Sequence, residues 1–224
     1  MGVFLPEDVY ENERKRLVRR LIDFGYSSSQ PVIGAMEKVP RHLFLPERLR
    51  PQAYNDRPLP IGVGQTISAP HMVGMMTELL DLKPGMTVLE VGAGSGYHAA
   101  IIAEIIGGTG HVYTIDRIPE LVENAKRNLA LTGYSKRVTV IAGDGSKGFP
   151  EKAPYDRILV TAGAPEVPKP LAEQLKNNGL IVIPVGGYTL QDLVVAVKKE
   201  GKFDIKSHGP CAFVPLIGEF GWKE

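Results

Sequence analysis

The stretch Val88-Leu89-Glu90-Val91-Gly92-Ala93-Gly94-Ser95-Gly96-Tyr97 decides the fold of this chain. Residues 87–91 predict a buried strand, the glycines after it predict a tight turn, and residues 97–106 predict a helix. A second apolar stretch ends on Asp116, about twenty residues beyond the turn. A strand, a glycine turn and a helix in this order predict the ligand crevice of a doubly wound α/β fold. In such a crevice, Asp116 is placed to accept hydrogen bonds from ribose hydroxyls.

The glycine spacing distinguishes two classes of nucleotide ligand. A dinucleotide-binding turn has the pattern G-x-G-x-x-G, whose third glycine lets helix and strand pack closely. Here the glycines are Gly92, Gly94 and Gly96, and Tyr97 takes the place of that third glycine, which disfavours a pyrophosphate site. The pattern E-x-G-x-G-x-G instead resembles motif I of S-adenosylmethionine (SAM) methyltransferases. The alternative is that the glycines serve only a tight turn.

Three acidic residues lie at or just after the carboxyl ends of successive predicted strands. Glu90 lies at the end of the first, Asp116 ends the second, and Asp144 follows the third strand at residues 138–142. Because the carboxyl ends of parallel strands meet at one edge of a sheet, we expect the three to converge there. Asp144, flanked by glycines, suits a contact to an adenine amino group; an ordinary Asp-Gly turn is the alternative.

The remaining pattern completes a mostly parallel sheet with an antiparallel edge. Further strands are predicted at residues 157–161 and 180–185, and a helix at residues 168–176 that ends at Asn177-Asn178-Gly179. Two more strands, around residues 193–197 and 203–206, predict the antiparallel edge. The tail at residues 213–218 is apolar, so it should fold back on the body. The fold class is therefore a doubly wound, Rossmann-like α/β fold with an N-terminal helical segment.

The first 64 residues predict helices and loops packed on a main domain at residues 65–224. Residues 7–24 form an amphipathic helix with Leu17, Val18, Leu21 and Ile22 on one face, and a second helix starts near residues 27–31. The basic cluster at residues 14–20 could suggest RNA, but the acidic residues before it favour a solvated helix face. Repeated prolines between residues 41 and 64 predict one or two short helices within ordered loop.

The segment at residues 65–71 lies just before another predicted helix, whose apolar face begins at Met72. Its hydroxyls, on Thr66 and Ser68, could cap that helix or could reach the crevice. Both readings are compatible, since a helix N-terminus also favours an anion.

Composition excludes several classes of function. The net charge of +1 provides no overall attraction for nucleic acid or an anionic membrane. One cysteine, Cys211, rules out an internal disulfide, and the five histidines lack metal-ligand spacing, so no metal is expected. No signal peptide or membrane span is evident, which leads us to expect a cytoplasmic protein.

The missing catalytic groups indicate the acceptor. The place after the fourth strand holds Thr161-Ala162-Gly163-Ala164, without the N/D-P-P-Y/F tetrapeptide usual for adenine methylation. A carboxylate acceptor, with a pKa near ~4, is already ionised at neutral pH and needs no general base. Thr66 and Ser68 meet that minimal requirement, because the site need only orient the reactants and exclude water.

The sequence also resembles the protein-L-isoaspartate (D-aspartate) O-methyltransferase family from about residue 30 to the end. The block Gly64-Gln65-Thr66-Ile67-Ser68-Ala69-Pro70-His71-Met72 carries most of the resemblance. Other shared segments are residues 39–44, 56–61, 89–97, 143–145, 153–156, 184–186 and 213–216. The resemblance implies methyl transfer from SAM to the free α-carboxylate of L-isoaspartyl residues, and in some members D-aspartyl residues, in damaged proteins.

The same resemblance implies the roles of individual residues. Ser68 is the active-site residue, and Ser68, His71 and Val214 bind the substrate, the last through its backbone. The expected cofactor-binding residues are Thr66, Ile67, Glu90, Gly92, Gly94, Gly96, Asp116, Arg117, Asp144 and Gly145. The expected partners are isoaspartyl proteins and peptides, which are the substrates, and the chain is expected to be a monomer. The expected product of the cofactor is S-adenosyl-L-homocysteine. Two alternatives remain: a SAM methyltransferase of a small molecule or RNA, and a non-catalytic isoaspartyl-binding module.

Overall fold

The computed structural model describes residues 6–223, and within them a seven-stranded sheet has the order β5-β4-β3-β6-β7-β8-β9. Strands β3 to β7 run parallel to one another, and β8 and β9 add an antiparallel edge. The strands are β1 (Leu59–Gly62), β2 (Gln65–Ile67), β3 (Thr87–Val91), β4 (His111–Asp116), β5 (Val138–Ala142), β6 (Tyr155–Val160), β7 (Leu175–Gly186), β8 (Gln191–Lys199) and β9 (Lys202–Cys211). The helices are α1 (Glu7–Asp23), α2 (Gln30–Lys38), α3 (Pro70–Leu79), α4 (Tyr97–Ile106), α5 (Pro119–Leu131) and α6 (Lys169–Glu173). The expected fold class is confirmed.

The strand order places a topological switch point at β3. The chain runs outward from β3 through β4 to β5 and then crosses to β6 on the other side of β3. In open α/β sheets, ligands bind outside the carboxyl ends of the strands at such a point. The glycine turn that follows β3 therefore opens onto the expected crevice.

Both faces of the central sheet are buried. Val88 packs in one apolar cluster with α4, whereas its neighbour Leu89 packs in a second cluster with β6 and β7. Alternate side chains of a strand point to opposite faces, so near-continuous apolar strands are the expected signature of a covered parallel sheet.

Helix α1 buries its apolar face in the same cluster as α4, through Leu17, Val18 and Leu21. Ile22 is 41% exposed, so its predicted place on the buried face is wrong. Arg14 is buried and donates from Nη1 to the Tyr54 hydroxyl at 3.3 Å, whereas its basic neighbours are exposed and pair with Glu11 and Glu13. The predicted solvated face therefore excludes Arg14.

Two segments differ from the sequence prediction. Residues 59–67 form an antiparallel hairpin of β1 and β2, which the sequence analysis did not predict. The predicted short helices lie before it, at Arg41–Phe44 and Glu47–Gln52. The predicted helix at residues 168–176 ends at Glu173, because Leu175 already pairs with Tyr155 in the sheet. Asn178 has a φ of 62°, and its segment is an irregularity within β7 rather than a helix end.

No helix within residues 6–223 is both long enough and apolar enough to cross a bilayer.

We expect Ile181→Ala, in the middle of β7, to lower the free energy of unfolding by about 2–5 kcal/mol, because its side chain is fully buried and truncation leaves a cavity. Ile205→Ala on β9 is the matched control; its side chain is 60% exposed, so a change within about 0.5 kcal/mol is expected. Chemical denaturation measures both. Equal losses would contradict the buried position of Ile181.

Candidate active site

A cavity lies outside the carboxyl ends of β3, β4 and β6, where the switch point predicts a ligand. Its walls come from the segment after β1, the glycine turn, the start of α5 and the tail. Its lining includes Thr66, Ile67, Ser68, Glu90, Gly92, Gly94, Tyr97, His98, Asp116, Arg117, Gly145, Thr161, Val214, Pro215, Leu216 and Ile217. The structure therefore brings most of the predicted site residues together.

The glycine turn approaches the neighbouring strand so closely that only glycine fits. Gly92 has a φ of 100°, and a Cβ there would collide with the Thr161 hydroxyl oxygen. That hydroxyl donates to the carbonyl oxygens of Val91 and Gly92, at 3.1 and 2.9 Å. Gly96, with a φ of 86°, is the N-cap of α4. Gly92 and Gly94 line the cavity, whereas Gly96 does not.

Asp116 is held in a fixed orientation at the end of β4. Its Oδ2 accepts a hydrogen bond from the Gly94 N–H at 2.9 Å, and its Oδ1 accepts one from the Ile118 N–H at 3.0 Å. Each carboxylate oxygen has a second lone pair. The carboxylate is therefore preorganised to accept further hydrogen bonds from a ligand, and Arg117 lies beside it on the cavity wall.

Glu90 is a fully buried carboxyl group on the cavity wall. Its Oε2 accepts from the Thr114 hydroxyl at 2.5 Å, and its Oε1 has no partner among the described residues. Burial raises the pKa of Glu90 to about 8, and the negative charge of Asp116 adds to that rise, against the lowering effect of Thr114. An orphaned buried carboxyl oxygen fits a cationic ligand group, because such a group would supply the missing partner.

The predicted hydroxyl segment begins in β2 and continues past its end. Thr66, Ile67 and Ser68 all line the cavity. The N-cap of α3 is Ala69, with no side-chain capping bond, so the interpretation of Thr66 or Ser68 as a cap is wrong. The Ser68 hydroxyl has no hydrogen bond to another described residue, and it stays available to a ligand.

His71 lies on the first turn of α3 and is not part of the cavity lining. Its backbone N–H and its Nδ1 each lie 2.9 Å from Asp56 Oδ1. The Asp56 carboxylate therefore fixes the orientation of the imidazole, and substrate binding by His71 stays a prediction.

The tail closes one side of the cavity, as its apolar sequence predicts. The Gly163 N–H donates to Val214 O at 2.8 Å, and the Leu216 N–H donates to Gly163 O at 2.8 Å. The Val214 N–H, in contrast, has no acceptor among the described residues. A free backbone donor on the cavity wall is compatible with the predicted carboxylate contact of Val214, which stays a prediction.

Asp144 is engaged with the tail rather than the cavity. Its Oδ1 accepts from the Ser146 hydroxyl at 2.6 Å, and its Oδ2 accepts from the Glu219 N–H at 2.8 Å. Partial burial raises the pKa of Asp144, but these hydrogen bonds outweigh it and the net shift is downward. Gly145 lines the cavity and Asp144 does not. Cofactor binding by Asp144 stays a prediction.

His98 is a lining residue that the sequence analysis missed. Its Nε2 lies 2.9 Å from the Thr77 hydroxyl, which itself donates to Val73 O at 2.7 Å. Burial lowers the pKa of His98 to about 3, so the ring is neutral at physiological pH. The only sequence signal was its place on the first turn after the glycines.

The comparison with known proteins decides the family. The family model described as "Protein-L-isoaspartate(D-aspartate) O-methyltransferase (PCMT)" matches residues 12–221. The chain belongs to this PCMT family. Among curated relatives, protein-L-isoaspartate O-methyltransferases from Hyperthermus butylicus and Methanopyrus kandleri are 60% and 59% identical to it. Both matches cover 97% of this chain, with 94% and 97% of the relatives covered.

Two solved structures share the PCMT fold. A protein-L-isoaspartate O-methyltransferase superposes with a TM-score of 0.85 at 31% identity, over 93% of this chain and 67% of the other. A putative PCMT from Plasmodium falciparum, in complex with S-adenosyl-L-homocysteine, gives a TM-score of 0.82 at 29% identity, over 91% of this chain and 98% of the other. The predicted family, enzyme class and SAM dependence are confirmed. Among residues 6–223, no three His, Cys, Asp or Glu side chains are grouped as metal ligands.

We expect Asp116→Ala to weaken SAM binding by about 1.5–3 kcal/mol, the scale of lost charged hydrogen bonds. Asp156→Ala is the matched control, because Asp156 also accepts a backbone hydrogen bond, from Thr87 N–H at 2.8 Å, but lies outside the cavity lining. Calorimetry measures both affinities. An unaltered affinity in Asp116→Ala would remove this residue from the cofactor site.

We expect SAM affinity to rise with pH between about pH 6 and pH 7.5, by up to roughly tenfold per pH unit. Glu90, with a pKa of about 8, is mostly protonated in this range. A bound cation favours the carboxylate, so binding releases a proton and is easier at higher pH. Calorimetry in buffers of different ionisation enthalpy measures the proton release. Glu90→Gln should abolish it, and equal release from both proteins would contradict a contact between Glu90 and the cation.

Proposed function

We propose that this chain methylates the free α-carboxylate of L-isoaspartyl residues, and of some D-aspartyl residues, in damaged proteins and peptides. The observation that carries the proposal is that Ser68 and Val214, whose N–H has no acceptor among the described residues, line the same cavity as the glycine turn and Asp116. One cavity thus offers cofactor-type contacts on one side and neutral donors for a carboxylate on the other.

The lining residues fit SAM as the methyl donor. When bound, SAM supplies an activated methyl group on a sulfonium. Asp116 is preorganised to accept hydrogen bonds from ribose hydroxyls, and the orphaned Glu90 Oε1 would face a cationic group. Thr66, Ile67, the glycine turn, Arg117 and Gly145 enclose the rest of the site.

The acceptor side needs donors rather than a base. Ser68 can donate one hydrogen bond to a carboxylate oxygen, and the Val214 N–H can donate another. These two contacts fix the position of an acceptor that is already ionised at neutral pH. His98 is neutral and bonded to Thr77, so it does not compete as a cation for the acceptor.

The tail excludes water from this side of the site. Leu216 is buried, and Pro215 and Ile217 line the cavity beside it. Water removal strengthens the hydrogen bonds within the site and prevents loss of the reactive methyl group to hydrolysis. The tail therefore contributes both a donor and a wall.

We further propose that the chain acts as a cytoplasmic monomer without nucleic-acid or membrane partners. The division into an N-terminal segment at residues 1–64 and a main domain at residues 65–224 is likewise our proposal. The boundary at Gly64 falls in the turn of the β1–β2 hairpin, so β1 and β2 pair across it, and α1 and α2 share an apolar cluster with α4 of the main domain.

The test is methyl transfer from labelled SAM to one peptide made with either an isoaspartyl or a normal aspartyl residue. We expect base-labile label on the isoaspartyl peptide alone. Label on neither peptide, with SAM still bound in calorimetry, would overturn the acceptor while leaving the cofactor unaffected.

We expect Ser68→Ala to lower turnover by about 10²-fold or more, the scale of one lost transition-state donor, while SAM affinity is retained. Ser68→Thr keeps the hydroxyl and should recover part of the activity. Steady-state kinetics with the isoaspartyl peptide measure both. Unchanged turnover in Ser68→Ala would show that the hydroxyl makes no contribution to the reaction.

A further inference from the structure

Arg41 is a fully buried arginine that contacts the segment carrying Ser68. Its Nη2 donates to Ser68 O at 2.8 Å, and its Nε donates to Ala53 O at 2.9 Å. Its guanidinium carbon lies 5.1 Å from the ring centroid of Tyr97, on the first turn of α4. One side chain therefore connects the Ser68 segment, the residue after the helix at Glu47–Gln52, and the start of α4.

This contact fixes the backbone that orients the serine. Ala69 precedes Pro70, which restricts it to the extended conformation observed, with φ −56° and ψ 142°. Arg41 holds the carbonyl of the preceding peptide, so the peptide plane between Ser68 and Ala69 is constrained from both sides. With that plane held, the backbone from which the Ser68 side chain projects is constrained as well.

The guanidinium group suits this task better than an ammonium group would. Its planar fork presents Nε and Nη2 in a fixed geometry and can serve two carbonyl oxygens at once. Lysine has a single nitrogen on a flexible stem, so it cannot set the distance between Ala53 and Ser68 in the same way. Arg41 Nη1 has no hydrogen-bond partner among the described residues, so Nε and Nη2 make the hydrogen bonds of this guanidinium group.

We propose that Arg41 is a positioning residue that orients the Ser68 hydroxyl toward the acceptor. The proposal rests on the proposed function, because it assigns Ser68 a role in the reaction. Arg41 itself is absent from the cavity lining and does not touch the reactants.

The chain provides a matched control at the other end of α3. Arg157 is also buried, and it donates from Nε to Leu80 O at 2.6 Å and from Nη2 to Asp81 O at 3.2 Å. Leu80 and Asp81 directly follow α3, and Ser68 lies just before the Ala69 N-cap at the other end of this helix. Replacing Arg157 thus disturbs a comparable pair of bonds to backbone carbonyls, away from the cavity.

The experiment compares Arg41→Lys and Arg157→Lys, each alone and combined with Ser68→Ala. We expect both arginine variants to lower the unfolding midpoint, but only Arg41→Lys to lower kcat, by about tenfold or more. In the Ser68→Ala background, Arg41→Lys should change kcat by less than about threefold, because the group it positions is gone. SAM affinity, measured by calorimetry, should stay within about threefold in every variant.

Several results would overturn the proposal. One is a loss of kcat in Arg157→Lys equal to that in Arg41→Lys. Another is a loss of kcat in the Arg41→Lys, Ser68→Ala double variant that equals the product of the two single losses. If Arg41→Lys does not fold, Arg41→Gln, which avoids an unpaired buried charge, replaces it. Failure of both Arg41 variants to fold, with Arg157→Lys folded, would make Arg41 a stability residue only. Absence of wild-type turnover would overturn the proposed function too, whereas the other results leave that function standing.

Discussion

The close approach of the glycine turn to Thr161 is the constraint on which the site depends. No Cβ fits at Gly92, so the turn can lie directly against the end of β6. This contact sets where α4 begins, and with it the positions of Tyr97 and His98. It also places the Gly94 N–H within 2.9 Å of Asp116. A larger residue in this turn would displace every one of these groups together.

The sequence predicts the central sheet well because its signals are local. Continuous apolar runs, glycine turns and strand-ending carboxylates are each visible within a few residues of sequence. Glu90 and Asp116 lie on the cavity wall at the carboxyl ends of their strands, as these patterns predict. The β1–β2 hairpin was missed because Pro60 argues against a strand and Val63 occupies an unfavourable φ of 45°. Pairing of Leu59 with Ile67 outweighs those local preferences. The end of α6 was misplaced for the same reason, since the pairing of Leu175 depends on the distant Tyr155.

Hydrogen bonds between distant segments are the other features that the sequence does not predict. The place of Asp144 after a strand predicts a ligand contact, but not the hydrogen bond from the Glu219 N–H, more than seventy residues later in the tail. Arg41 lies in the shared segment at residues 39–44, where nothing local indicates its hydrogen bond to Ser68, 27 residues away. Buried hydrogen-bond partners are specified by the completed fold rather than by spacing, so no periodicity reveals them.

The tail has a consequence for how the site comes into being. The cavity wall joins Thr66 to Ile217, segments separated by most of the chain, and the tail is held by Gly163 and by the Asp144–Ser146 pair. Contacts between such distant segments form late in folding, because the loop between them must close first. We therefore expect the binding site to be among the last parts of the molecule to assemble and among the first to open. A ligand that bridges both walls stabilises the closed arrangement and slows that opening.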